Sequence, residues 1–168
     1  MIGLLPSLNR YWQRSPAGYQ PGVTLSRLAN NLQPYACERL SPCLLRLTLP
    51  QGAVIDISEQ VSALFMAHIV SQRFCVQGAC SQKEPLTLRI NAGGWLRRRG
   101  VVYRATRDDA VAQRMIAALW RYPQIAETLE QLDFRRIQLT VAAGHWRLEI
   151  EHFAASEVVS RLPAGRRY

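Results

Sequence analysis

Lysine is almost absent from this chain. Its 168 residues hold twenty arginines and a single lysine, Lys83, against twelve acids, for a formal net charge of +9. A positive field of that size gathers phosphates, anionic lipid or acidic partners around the molecule. The arginine preference points toward anions that accept two parallel N–H bonds, carboxylate or phosphate, because the guanidinium is a planar fork and an ammonium is not. The same preference also follows from a GC-rich genome, and at this level the two origins stay open.

Other things are missing too. Cys37, Cys43, Cys75 and Cys80 are separated by five, thirty-one and four residues, with no Cys-x-x-Cys pair. That excludes ordinary zinc spacing, so no metal site is expected and the thiols read as buried and inert. No apolar run approaches the roughly 20 residues of a membrane span. The opening MIGLLPSLNRYWQR has no charged segment before its apolar start, and Pro6 interrupts that start. It does not read as a signal peptide, so the expected location is cytoplasmic. A nucleophile elbow, phosphate loop, dinucleotide fingerprint and His-Glu-x-x-His are absent as well. No cofactor is expected, and the balance leans away from an enzyme.

What is present describes an ordinary globular chain, 48% apolar and 20% charged, long enough for one domain with a substantial core. Residues 1–22, with Pro6, Pro16, Gly18, Pro21 and Gly22, read as an irregular N-terminal arm, and residues 23–168 as a single α+β domain. Thr24 is placed to cap a helix carrying Leu25, Leu28, Ala29 and Leu32, ending before Pro34. CLLRLTLP, residues 43–50, alternates as a strand with Leu45, Leu47 and Leu49 on one face. Residues 58–72 are ambiguous. Asp56 and Glu59 have capping-box spacing, yet Leu64, Met66, His68, Val70, Phe74 and Val76 alternate, which favours a strand over about 64–77.

Two hairpins follow. LTLRI and the arginine strand, joined at Gly93-Gly94, form the first. Their register sets Ile90 against Arg97 or Leu96, with Gly100 expected as a bulge. Between them Asp108 is expected to cap a helix bearing Val111, Met115, Leu119 and Tyr122, and Pro123 opens a shorter one. In the second hairpin Ala143-Gly144 is the loop. It pairs Val141 with Trp146, Leu139 with Leu148 and Ile137 with Ile150 on an apolar face. Thr140 with Arg147, Gln138 with Glu149 and Arg136 with Glu151 fall on the wet one. Ser156 is expected to cap a short terminal helix. The fold class is therefore α+β, an antiparallel sheet of about five to six strands packed against helices on one face.

The candidate site is basic. From Lys83 to Arg107 seven basic residues face one acid, Glu84. The candidate anion-binding residues are Arg89, Arg97, Arg98, Arg99, Arg104 and Arg136, with Arg135 joining if the hairpins are sheet neighbours. Trp95 and Tyr103 offer stacking surfaces. Strand alternation separates Arg98 from Arg97 and Arg99, so the triplet cannot act as one patch. Asp108 and Asp109 read as helix-capping residues, and His152 as a hydrogen-bonded, half-buried imidazole.

The run EHFAASEVVSRLPAGRRY, with PGVTLSRLANNL near the front, resembles an uncharacterised family of small bacterial proteins described only as a domain of unknown function. The resemblance covers most of the chain. It implies a bacterial, single-domain protein and brings no catalytic or binding residues. The leading expectation is a non-enzymatic binding module whose arginine-rich sheet surface contacts an acidic protein or a small anion. RNA or single-stranded DNA is the alternative ligand. A third reading is an enzyme or ligand carrier with a pocket between helices and sheet, anchored by Arg98 or His152.

Overall fold

Side-chain alternation dictates the architecture. A computed structural model describes residues 19–63, 67–92, 100–132 and 134–160. In chain order these form α1 (Val23–Asn31), β1 (Ala36–Ser41), β2 (Leu44–Thr48), β3 (Val54–Ala63), β4 (Ala67–Ala79), β5 (Leu86–Ala92) and β6 (Val101–Ala105). They continue with α2 (Ala110–Trp120), α3 (Pro123–Gln131), β7 (Phe134–Ala142) and β8 (His145–Ser160). The strands make one sheet in the order β1-β2-β3-β4-β8-β7-β5-β6, with antiparallel pairing throughout. The β7–β8 hairpin is inserted between β4 and β5, and α2 and α3 carry the chain back from the β6 edge.

One unbroken row of apolar residues crosses most of the sheet, with a second beside it through Val76, Leu148, Leu139 and Leu88. Leu45, Ile57, Phe74, Ile150, Ile137, Ile90 and Tyr103 are successive cross-strand partners from β2 to β6. All three described helices cover this face. Leu25 of α1 packs with Leu45, Leu47 and Ile57. Ala112 of α2 packs with Leu86 and Val141, and Leu129 of α3 with Ile90, Val101, Phe134 and Ile137.

The β7–β8 register agrees with expectation on both faces, from Val141 opposite Trp146 to Arg136 opposite Glu151. Its loop residues Ala143 and Gly144 both have positive φ, 51° and 80°. This is the geometry that suits the twist of a two-residue hairpin, and it favours Asn or Gly at the first position.

Several expectations are corrected. Among the described residues the sheet has eight strands rather than five or six. β1 is not legible in the sequence because it is an edge strand with only Cys37 half-buried, so it carries no apolar alternation. The ambiguous stretch holds two strands: residues 54–63 are β3 and 67–79 are β4, with 64–66 outside the described residues. Residues 156–160 belong to β8 rather than to a helix, because β4 supplies a partner as far as Ser160. Ile90 pairs with Tyr103, and Ala92 with Val101, while Leu96 and Arg97 lie outside the described residues. Gly100 has φ 84° and leads into β6. The cap of α2 is Asp109, one residue later than expected, accepting from the N–H groups of Val111 at 3.1 Å and Ala112 at 2.9 Å.

α1 begins differently again. Its N-cap is Gly22 with φ 84°, where a Cβ would collide with the Pro42 carbonyl. Thr24 does not cap. Its hydroxyl donates to Glu59, a β3 carboxylate only 8% exposed on the helix face. Glu59 also accepts from the Gly22 N–H at 2.7 Å and the Tyr19 hydroxyl at 2.9 Å. A carboxylate there satisfies free N-terminal donors and faces the positive end of the helix dipole. Burial, with Cys43 and Glu59 alongside, pushes the Tyr19 phenol well above its ordinary range.

Glu59→Ala should lower stability by about 2–4 kcal/mol, since it strands buried donors. Urea denaturation within about 0.5 kcal/mol of wild type would contradict this role. Ala143→Asn should stabilise the protein by up to about 1 kcal/mol by relieving the left-handed backbone. Unchanged or lower stability on denaturant titration would count against it.

Candidate functional site

The face opposite the helices is polar, and its charges are not evenly matched. One row across it reads Glu38, Arg46, Asp56, Cys75, Glu149, Gln138, Arg89 and Arg104, from β1 to β6. A second row reads Ser58, Arg73, Glu151 and Arg136. Acids therefore stand on β1, β3 and β8. Arginines continue beyond them onto β7, β5 and β6.

On this face four arginines pair with carboxylates, while Arg136, opposite Glu151, donates to Gln138 instead. Arg46 grips Asp56 through both forks, Nε at 2.8 Å and a terminal nitrogen at 3.0 Å. That hydrogen-bonded contact holds the Asp56 carboxyl below the usual carboxylate range. Glu149 receives Arg147 at 3.0 Å and Arg73 at 3.8 Å. Glu151 accepts from the Ser71 hydroxyl at 2.8 Å and from Arg135 at 3.3 Å.

Beside Glu151 the face opens into a hollow of about 440 Å³. Arg73, Arg89, Arg135 and Arg136 line it, with Glu151 as the sole lining acid. The amides of Gln60 and Asn91 add neutral donors and acceptors to the same wall. The sheet order is what gathers these residues, since β7 lies between β8 and β5. An irregularity between Phe134 and Arg136 keeps Phe134 buried in the core while Arg135 reaches Glu151 on the open face.

Of the sequence candidates, Arg89 and Arg136 line this hollow, and Arg104 stands directly across from Arg89. Arg135 joins them, as expected if the hairpins are neighbours. Arg97, Arg98, Arg99 and Trp95 lie outside the described residues. Tyr103 is placed differently from the stacking role expected of it. It lies on the helix face with Ile90, edge-on to Trp120 at 5.2 Å, away from Arg104. Burial raises its phenol pKa, and its hydroxyl has no hydrogen-bond partner among the described residues. Sequence reasoning missed Arg73. It sat in the ambiguous stretch, where the alternation of Arg73, Cys75 and Gln77 against Phe74 and Val76 was the available signal.

Other candidate chemistry resolves into structure. Asp109 caps α2, held below the usual carboxylate range by the Ala112 N–H with help from Arg107. His152 shares a helix-face row with Phe134, Gln72 and Glu59. Trp146, Met115 and Val111 pack together with Leu86, Ala112 and Val141 between α2 and the sheet. The four cysteines are unpaired, and burial raises the Cys75 thiol. Among the described residues no cluster of three or more His, Cys, Asp or Glu side chains could hold a metal. No helix among them is long and apolar enough to cross a membrane.

Asp56 makes a pH-dependent prediction. Its folded pKa is depressed, so its contribution to stability is present above the unfolded value near 3.9 and is lost as pH falls through the folded one. Wild type should therefore be more stable than Arg46→Gln at about pH 6, with the gap closing by about pH 2. A gap that persists in acid, followed by urea melts across that range, would refute the assignment.

Neither a curated protein nor a solved structure matches the chain. A family model described as "Protein of unknown function (DUF3156)" does match, over residues 30–168, from the end of α1 through every strand. The eight-stranded sheet and its arginine-lined hollow thus lie within the matched region, and the chain belongs to that family.

Proposed function

We propose that this protein is a non-enzymatic binding module that holds an anionic partner on the open, arginine-rich face of its sheet. The observation that carries the reading is the hollow lined by Arg73, Arg89, Arg135 and Arg136 against the single acid Glu151. Arginine forks arranged around a concave wall suit carboxylate or phosphate groups, and the +9 net charge would draw such a partner in. Among the described residues the arginine rows hold no Phe, Tyr or Trp as a stacking platform, which favours an anion other than nucleic acid on this part of the face. Base stacking supplies much of single-strand affinity. Unpaired cysteines support a reducing, cytoplasmic setting. Bacterial origin rests on the resemblance alone.

Titration calorimetry at low salt with pyrophosphate, citrate, a polyglutamate peptide and oligodeoxythymidylate tests this. Wild type should bind at least one of the first three, and Arg136→Glu should weaken it by about tenfold or more while keeping the fold. No binding to any of the three, or binding indifferent to Arg136→Glu, would overturn the proposal. Preferential retention of the oligonucleotide with a steep salt dependence would replace it with nucleic-acid recognition.

A further inference from the structure

Arg89 and Arg104 are directly opposed across β5 and β6 on the open face. Opposed side chains in an antiparallel pair have Cβ atoms about 5 Å apart, and like charges at that spacing destabilise the pair. Both residues are exposed, and neither has an acidic partner among the described residues. Their surroundings supply none. The next residue in the row, Gln138, already accepts from Arg136. One step along the same face lie Thr87 and Asn91 on β5, and Val102 and Thr106 on β6. Elsewhere on this face Arg46, Arg73, Arg135 and Arg147 each have a carboxylate at 2.8–3.8 Å. The uncompensated pair thus stands at the rim of the hollow, since Arg89 is one of its lining residues.

We propose that Arg89 and Arg104 clamp one phosphate group of a small phosphorylated molecule whose polar body lies in the hollow. The inference rests on the anion-binding reading of this face and names its ligand class. Charge and oxygen count select phosphate. Two guanidinium forks present two positive charges and at least four convergent N–H donors. A phosphate monoester carries close to two negative charges near neutral pH and three strong acceptor oxygens, enough for both forks. A carboxylate carries one charge and two oxygens, and leaves one guanidinium uncompensated. Asn91, Gln60 and Glu151 then face the rest of the molecule, with acceptors for hydroxyl groups as well as donors. A volume of about 440 Å³ fits a small molecule.

The test uses ribose 5-phosphate as the probe, with ribose and malonate as controls, in titration calorimetry at low salt. Wild type should bind ribose 5-phosphate at least about tenfold more tightly than either control. Arg89→Gln and Arg104→Gln should each weaken that binding by about tenfold or more. The double variant should lose little beyond either single one, because a clamp acts as a unit. A second readout separates a ligand site from a structural pair. Without ligand, each single variant should melt at or above the wild-type temperature, since like-charge repulsion is relieved, while the shift produced by ribose 5-phosphate disappears.

Failure of wild type to bind ribose 5-phosphate would overturn the clamp, as would equal binding by the variants or a lower ligand-free melting temperature. Malonate binding as tightly as ribose 5-phosphate would also overturn it. If that malonate binding is lost on Arg136→Glu, the anion-binding reading of the face survives without the clamp. If no anion binds at all, both fall.

Discussion

One-sided coverage of the sheet is the constraint on which the rest of this molecule depends. The apolar row from Leu45 to Tyr103 runs through seven adjacent strands, and α1, α2 and α3 all settle on it. Because side chains alternate along the strands except at the register shifts in β1, β4 and β7, a residue placed in that layer generally sends its neighbours to the other side. The opposite face carries no helix among the described residues, and its residues are largely polar. Arginines on it need no buried partner, and Arg46, Arg73, Arg135 and Arg147 find carboxylates at the surface.

The exception to this rule lies at one end of the helix-covered face. There the row formed by Phe134, His152, Gln72 and Glu59 turns polar. A carboxylate in that layer is tolerable because three donors converge on it, from Tyr19, Gly22 and Thr24. The same contact fastens the start of α1 to β3. It also brings Tyr19 edge-on to the buried ring of His68, at 6.0 Å. Glu59 thus ties Tyr19 and Gly22 to β3 just ahead of α1.

Electrostatics on the open face follow from strand order. β4 and β8 lie side by side, and the acids of β8 are met by arginines from β4, β7 and β8 itself. The β5–β6 hairpin is displaced to the far edge by the insertion of β7 and β8, and it brings arginines without acids. Of the basic residues between 83 and 107, Arg89 and Arg104 therefore stand together without an acid among the described residues, whereas Arg107 pairs with Asp109 at 2.7 Å. Tyr103 shows the same alternation working against a simple composition argument. Adjacent to Arg104 in sequence, it belongs to the opposite face and packs against Trp120.

The sequence by itself determined what depends on neighbouring residues. Alternation and the Ala143-Gly144 loop specified the β7–β8 register pair by pair, and the leucines of β2 specified which side of that strand is buried. The helices at 23–31, 110–120 and 123–131 were legible from apolar spacing, with caps misplaced by a residue or two. What the tertiary structure decided was everything that rests on non-local partners. Asp56 and Glu59 imitate a capping box when read locally. In the fold Asp56 is gripped by Arg46 from β2 and Glu59 by the arm, so the segment is strand. Residues 156–160 look helical in isolation and are held extended by β4. The hollow joins Arg73, Arg89, Arg135 and Arg136 only because β7 lies between β8 and β5, and no local pattern encodes that order.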